Sequence, residues 1–393
     1  MKYAQLPVVW SNRVTSAMRI AREWMIDDLS TWEVKSRKRT VEWSLDRLNT
    51  STCAGLPWMN VFGTKEEVYR DLQCMEWFYQ EYMPALKTGN PILSFATIFV
   101  KSEMKNDLKL TDDKLRTISC KDAMNILANQ IYCGRFNDAF VRYGGHGWSF
   151  LGVPLVRGGW SANCHRLNQH PNGMGWDIRL NDSNFAPLAF DECFLVRYAL
   201  SDYDFDDAKA MSSLIAQEFI SPMVDSKGVV RFRTCSEDSG TGNTIIHNTM
   251  ANKQRFDASF IDMWFDQYGE YPHKSDMRRN VNDSHVGDDG AASVSDEVKE
   301  WFNPNTIRSW YYDSFGTIVQ FQEQHFVHPY ELEFLSQKTG WDRGWPLPEL
   351  AKYKLIDSAL YGNEDARNGG DVLATLRRLV NLRMLAFPNI KEY

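Results

Sequence analysis

The chain has 393 residues, 43% of them hydrophobic and 24% charged. That composition excludes disorder, and at this length calls for two or three subdomains around a common centre. A formal net charge of −7 excludes a protein that coats nucleic acid through overall positive charge, so any RNA-handling chain of this kind must gather its cations into a groove.

Residues 12–30 and 64–86 space their apolar side chains as helices do, the second through Val68, Leu72, Met75, Phe78, Tyr79 and Tyr82. Between them Lys35, Arg37, Lys38 and Arg39 form a nearly continuous basic run, which reads either as part of a groove or as a solvated face. The segment Asn49 to Trp58 is a loop by its Gly55 and Pro57. Its hydroxyls and backbone amides suit a phosphate, and equally a plain surface turn. A β-rich run from Phe95 to Val100 leads into a basic extended arm from Lys101 to Arg116, diluted by Asp107, Asp112 and Asp113 but suited to phosphate contact. A helix begins near Lys121.

Farther on, a short strand from Gly175 to Ile178 puts Asp177 at a strand end. It is followed by a turn at Asn181 to Asn184, an apolar helix from Phe185 to Leu200, and a second helix near Asp207 to Phe219. A hairpin turns at Ser226 to Gly228. The loop Ser239 to Asn243 opens a helix from Thr244 to about Tyr268; its glycines permit backbone conformations closed to other residues, and such a loop is also a generic anion site. Asn280 to Val294 reads as strand, turn, strand, with Gly287 to Asp289 as the turn and a leading strand made unusually polar by Asn282, Asp283, Ser284 and His285. Near the C-terminus Val372, Leu373, Leu376, Leu379 and Val380 make the apolar face of a packed helix whose outer side carries Arg377, Arg378 and Arg383.

The seven cysteines are scattered without a Cys-x2-Cys pair and read as reduced thiols. Cys164, His165 and His170 lack a fourth ligand at zinc-site spacing. No secretion signal is read at the N-terminus, and the longest uncharged apolar run, Pro91 to Val100, is too short to span a bilayer.

Two adjacent carboxylates on a tight turn, brought against a third from a distant strand, can hold two divalent cations about 3.5–4 Å apart. A Gly-Asp-Asp alone arises by chance in about one chain of this length in ten, so its neighbours decide. They come in order: Asp177 and Asp182, then Ser239-Gly240-x3-Thr244-x3-Asn248, then Gly287-Asp288-Asp289. With the loop at Thr50 and the basic arm, these segments resemble the viral RNA-dependent RNA polymerases, most closely the picornavirus-like branch of positive-strand RNA viruses, from about residue 49 to 338.

The resemblance implies an α+β fold, a right-hand polymerase with an antiparallel-sheet palm flanked by helices. Its division would be fingers with fingertips at 1–135, palm at 136–211, a fingers insertion at 212–235, palm again at 236–340 and thumb at 341–393. It implies templated RNA synthesis from ribonucleoside triphosphates with release of pyrophosphate. Thr50, Ser51, Thr52 and Gly55 would meet the template. Lys101, Lys105, Lys109, Lys114 and Arg116 would grip the triphosphate. Asp182, Ser239, Gly240, Thr244 and Asn248 would bind the nucleotide, with Asp182, Ser239 and Asn248 selecting for its 2′-hydroxyl. Asp177, Ile178, Asp288 and Asp289 would hold two Mg²⁺ ions, with Mn²⁺ able to substitute and Asp289 in the lesser role. Glu333 to Ser336 resembles the hairpin that supports the primer end. The family's proton-donating lysine has no counterpart between Gly316 and His328, and His325 is expected in its place, since imidazolium is a competent donor near neutral pH.

Implied partners are template and product RNA, ribonucleoside triphosphates and other viral replication proteins. The implied setting is the host cell cytoplasm, in replication complexes whose membrane association runs through partners. Three readings stay open beside this one: the polymerase of a dsRNA virus with a related palm, a two-metal nuclease, and a non-catalytic RNA-binding protein.

Overall fold

The computed structural model describes residues 10–100, 117–179, 181, 187–225, 227–232, 240–351, 355, 376, 379–380 and 382–383. The chain forms two compact units that interleave in sequence. The first comprises Met1–Tyr143, Arg179–Ala258 and Ser314–Thr317, the second Gly144–Ile178, Ser259–Asp313 and Ile318–Tyr393. Ten strands run through the described residues: β1 (Ala96–Val100), β2 (Thr117–Cys120), β3 (Asn172–Ile178), β4 (Met223–Val224), β5 (Val230–Arg231), β6 (Val281–Val286), β7 (Asp289–Val294), β8 (Val319–Phe321), β9 (Gln337–Asp342) and β10 (Trp345–Leu350).

The first unit begins with the helix Asn12–Thr31, capped by Ser11, whose side chain accepts from the Val14 amide. Its stripe Val14, Ala17, Met18, Ala21, Met25 and Leu29 is buried at helical spacing. The helical reading of 64–86 holds only in pieces. Asp71 takes an extended conformation (φ −77°, ψ 119°) and caps a new helix by accepting from the Cys74 amide, splitting Lys65–Arg70 from Leu72–Trp77. The break turns the stripe: Val68, Phe78 and Tyr82 stay buried, but Leu72, expected inside, is 85% exposed.

These pieces pack with the helices Ala123–Arg142 and Phe205–Ile220 into a core of Phe78, Tyr82, Met124, Leu127, Ile131 and Leu214. Burial of such side chains stabilises by about 1.5–3 kcal/mol each before conformational entropy is set against it. A four-stranded sheet in the order β2-β1-β4-β5 completes the unit. Its β4–β5 pair is the hairpin read at 226–228.

The second unit is built on an antiparallel sheet in the order β6-β7-β3-β8. β3 is longer than the sequence indicates, starting at Asn172. One cross-strand row fixes the sheet: Trp176 of β3 pairs with Gly290 of β7, which pairs with His285 of β6. Because Gly290 has no side chain, the Trp176 indole lies across it and meets the His285 ring edge-on at 5.6 Å. A Cβ at position 290 would stand 2.2 Å from the indole carbons.

The helix Trp160–Leu167 packs against this sheet through Trp160, Cys164 and Leu167, in a cluster with Phe150, Ala291, Leu332 and Phe334. Cys164 is buried beside Thr339 at 3.5 Å, a structural thiol. β9 and β10 form a separate hairpin.

Of the C-terminal apolar face, Leu376, Leu379 and Val380 are 53%, 42% and 59% exposed, so they are not packed as expected. Val372, Leu373, Arg377 and Arg378 lie outside the described residues. No helix among the described residues is long and apolar enough to cross a membrane.

Replacing Gly290 with alanine forces the indole off the sheet. We expect Gly290→Ala to lower unfolding stability by about 1–3 kcal/mol, as overpacking does, read as a lower urea midpoint; an unchanged midpoint would show that Trp176 moves at no cost.

Candidate active site

Register places Asp177, Asp288 and Asp289 at the same end of the second unit's sheet. Continuing the β3–β7 pairing one residue past Trp176–Gly290 sets Asp177 opposite Asp289. Side chains alternate along a strand, so both point to the face opposite Trp176 and His285. The hairpin pairs Val286 with Asp289, which makes Gly287 and Asp288 the two-residue turn and Asp289 the first residue of β7. The sequence reading of Gly287 to Asp289 as the turn is thus one residue too long. Gly287 sits at φ +62°, a conformation open to glycine and required by a tight hairpin turn of this length. Asp177 is exposed, and Asp288 and Asp289 are half-buried. Ile178 is buried; its side chain is a hydrocarbon without donor atoms, so only its backbone carbonyl oxygen could serve a metal.

The polar leading strand, anomalous in the sequence, is largely buried, and Asp283 and Ser284 find partners within the second unit. Asp283 lies 2.7 Å from His285 Nε2. Ser284 donates to Asn163 and accepts from Arg166, whose guanidinium also donates to Asn163 at 3.0 Å. Burial pulls the Arg166 pKa down, against the nearby Asp283 carboxylate that favours its charge. On its outer edge β6 is bridged by Trp148 to Phe150: the His285 amide donates to Trp148 O at 2.9 Å and the Phe150 amide to His285 O at 3.1 Å. A strand covered on both sides is pressed to pair its polar groups, and Asp283, Ser284 and the His285 backbone do so within the unit.

Do these residues suit divalent ions? Among the described residues no three His, Cys, Asp or Glu side chains converge closely enough to hold one alone. The donor set is nonetheless three carboxylates and a carbonyl at the open end of one sheet, all hard oxygen ligands, and such a set fits a hard divalent ion.

His325 sits on an exposed bend past β8. Strict continuation from Trp176–Phe321 would bring Gln324 to Gly173, but Val327 is there instead. Three extra residues therefore bulge out level with Gly173 to Gly175, behind Asp177 along β3, and the structure does not bring His325 to the carboxylates. Gln322 anchors the bulge: its amide lies over Gly175, its Oε1 accepts from the Glu333 amide at 3.1 Å, and its Nε2 donates to the Glu333 carbonyl. The segment Glu333 to Ser336 is a tight turn, with Leu335 and Ser336 at φ +53° and +58° and Phe334 bridged to Gln337.

In the first unit the loop at Thr50 is clamped, not loose. Ser51 donates to Asn49 Oδ1 at 2.7 Å, and Lys65 reaches Thr52 Oγ1 at 2.5 Å and Cys53 O at 2.9 Å. Burial lowers the Lys65 pKa. Gly55, at φ +72°, lets the loop ride on the start of the helix Ala123–Arg142, where a Cβ would meet Lys121 O and Asp122 Cα at 2.8 Å. Thr50, Ser51 and Thr52 remain at least partly open.

The Gly240 loop is held the same way. The Gly240 amide donates to Ser119 O at 3.0 Å, with no room for a side chain. Asn243 donates to Asn129 at 2.9 Å and to Glu218 at 2.7 Å, while Asn137 donates to Gly242 O at 3.1 Å and to Asn243 at 2.9 Å. Arg197 donates through Nε to His247 Nε2 at 3.2 Å, and His247 Nδ1 lies 3.1 Å from Glu218. Thr244 donates to Thr241 O at 3.2 Å. Asn248 is 6% exposed, and among the described residues its Oδ1 has no hydrogen-bond partner, a state that costs about 1–3 kcal/mol. Lys101, Lys105, Lys109, Lys114, Arg116, Asp182 and Ser239 lie outside the described residues.

Sequence reasoning missed Lys65, Arg197, Glu218, Asn243 and His247. The available signal was polarity in the wrong place: Gln217 and Glu218 interrupt the apolar helix Phe205–Ile220.

The model of the viral RNA-dependent RNA polymerase family matches residues 2–390; the chain belongs to that family. The replication polyprotein of Nora virus is 25% identical over 278 residues, 68% of this chain and 13% of the polyprotein. The genome polyprotein of Beet mosaic virus is 20% identical over 262 residues, 65% and 8% respectively. The chain spans about an eighth or less of these curated relatives' length. Among solved structures, the Sicinivirus 3Dpol RNA-dependent RNA polymerase matches with a TM-score of 0.72 at 16% identity, covering 99% of this chain and 82% of that one. This likeness shows the right-hand polymerase fold and agrees with the picornavirus-like branch named from the sequence. The family works with divalent metal ions.

His247 supplies a pH test. Burial lowers its pKa, and Arg197 adds to this, outweighing the opposing pull of Glu218. The unfolded chain therefore binds the proton more readily, and stability must fall as pH drops below the ordinary histidine value of about 6.5 until the lowered pKa is passed. We expect the unfolding midpoint of the wild type to drop more than that of His247→Gln between neutral and mildly acidic pH; parallel midpoints would place the acid sensitivity elsewhere.

Proposed function

We propose that this chain performs RNA-templated addition of ribonucleotides for viral genome replication and transcription. The observation that carries the reading is the register that sets Asp177 opposite Asp289 at a turn bearing Asp288. Asp177 and Asp288, with the Ile178 carbonyl, would be the principal ligands of two Mg²⁺ ions, Mn²⁺ able to substitute, and Asp289 would support them. When bound, such ions activate the attacking 3′-hydroxyl and neutralise charge on the leaving pyrophosphate. The protein's share is positioning and charge complementarity, because phosphoryl transfer asks little covalent chemistry of it.

Thr50, Ser51, Thr52 and Gly55 seat the template on a loop held by Lys65. Lys101, Lys105, Lys109, Lys114 and above all Arg116 hold the triphosphate. Gly240 and Thr244 shape the nucleotide site, and the Oδ1 of Asn248, without a hydrogen-bond partner among the described residues, serves with Asp182 and Ser239 to read the ribose 2′-hydroxyl. Glu333 to Ser336 supports the primer end, and His325 gives its proton to the pyrophosphate.

The fingers, palm and thumb follow the ranges read from the sequence, with two boundaries shifted. The helices Ala123–Arg142 and Phe205–Ile220 run unbroken across 135/136 and 211/212, so the divisions belong at helix ends. Other viral replication proteins and a cytoplasmic replication complex complete the setting.

Purified protein given an RNA template, ribonucleotides and Mg²⁺ should make complementary RNA, and Asp288→Asn should abolish it; synthesis that survives removes the metal assignment, and degraded template would indicate a nuclease. Asn248→Ala should cut the preference for ribonucleotides over deoxyribonucleotides by about 10-fold, one hydrogen bond's worth. His325→Gln should slow elongation on the order of 100-fold, and an unchanged rate would free His325 from the proton transfer.

A further inference from the structure

A cleft of about 870 Å³ opens in the first unit between the end of the helix Asn12–Thr31, the segment 33–47 and the last turns of the helix Ala123–Arg142. None of the residues that carry the family resemblance lines it. Its lining holds seven arginines and lysines but only two carboxylates, Glu33 and Asp138, in a chain whose net charge is −7.

Four of the cations are already paired. Arg37 meets Asp202 at 3.1 Å, Lys38 meets Asp207 at 2.7 Å, and Arg39 and Arg47 share Asp138 at 2.8 and 3.7 Å. Arg39 and Arg47 also stack on Trp43, at 3.4 and 4.5 Å from its ring centroid. This stack stiffens the wall, since planar guanidinium on indole is favourable and costs little further ordering. The side chain of Arg39 is 7% exposed and its Nη1 has no hydrogen-bond partner among the described residues. Lys35, Arg135 and Arg142 are exposed, and among the described residues they have no carboxylate partner. Two paired positive walls thus present three unneutralised cations to solvent, an arrangement that attracts a polyanion.

Chain continuity identifies which one. Arg47 stands three residues before Thr50, so the cleft wall runs into the Asn49 to Trp58 loop within about 10 Å of chain. The geometry points to a site for the phosphate backbone of single-stranded RNA, formed by Lys35, Arg135 and Arg142 beside that loop. It rests on the polymerase reading, and adds an RNA contact outside the loop and the basic arm. Each phosphate neutralised there releases counterions, so binding must be salt-sensitive.

The test is the anisotropy of a fluorescein-labelled single-stranded RNA, titrated with full-length protein over a range of salt. The triple variant Lys35→Ala, Arg135→Ala, Arg142→Ala should lower the slope of log affinity against log salt by about 2, and weaken binding on the order of 10- to 100-fold at moderate salt. A variant removing equal charge elsewhere in the unit, Arg70→Ala, Lys209→Ala, Lys227→Ala, should stay near wild type. Arg135→Lys with Arg142→Lys keeps the charge and should keep the slope. If both triple variants bind alike, the site is overturned. It is overturned equally if the cleft variant keeps RNA affinity but loses binding to poly-glutamate, which would give the cleft to an acidic protein segment. Primer extension at saturating RNA in the same preparations judges the polymerase reading separately: failure of extension with the binding pattern intact counts against that reading and not against the cleft.

Discussion

The pairing of β3 with β7 is the constraint from which the second unit follows. It sets Trp176 on Gly290, and a glycine at that point lets a large aromatic ring lie flat across a neighbouring strand and reach a third. On one face this produces a continuous aromatic and polar layer of Trp148, His285 and Trp176. On the other face, one residue along, it aligns two carboxylates from segments more than a hundred residues apart in sequence. A slip of one residue would exchange the faces, so the packing of the indole and the placement of Asp177 are one specification.

The first unit meets a different demand: loops that must hold their shape while staying open. It does so by anchoring them from beneath with buried polar groups. Arg197, Glu218, Asn243 and His247 are all within 1% of full burial, and their mutual hydrogen bonds restrict the Gly240 loop to one arrangement. The charges of Arg197 and Glu218 offset each other around a neutral imidazole. A satisfied polar network rigidifies and an unmet group within it is costly, and among the described residues the Oδ1 of Asn248, next to this network, has no hydrogen-bond partner.

Much of this was legible in the sequence because the candidate site residues sit at ends of regular elements. The strand at Asp177, the helix from Thr244 and the hairpin around Gly287 were readable from local pattern, and the order of the motifs gave the family. What local pattern could not give was long-range pairing. The polarity of Asn282 to His285 looked like a fault because nothing nearby in sequence announces Asn163, Arg166 or Trp148 as its partners. Leu72 was placed inside by periodicity, and Asp71, a capping residue, reset that periodicity one position earlier. Lys65 reads as an ordinary exposed helix lysine until the loop folds back onto it.

Gln322 ties two otherwise unrelated parts of the second unit together. Its amide rests on Gly175 in the sheet and grips both backbone groups of Glu333, so the bulge bearing His325 and the turn at Leu335 share one fulcrum. Any displacement of the bulge must either break that grip or carry the turn with it. The two would then move as arms of a single lever about Gln322.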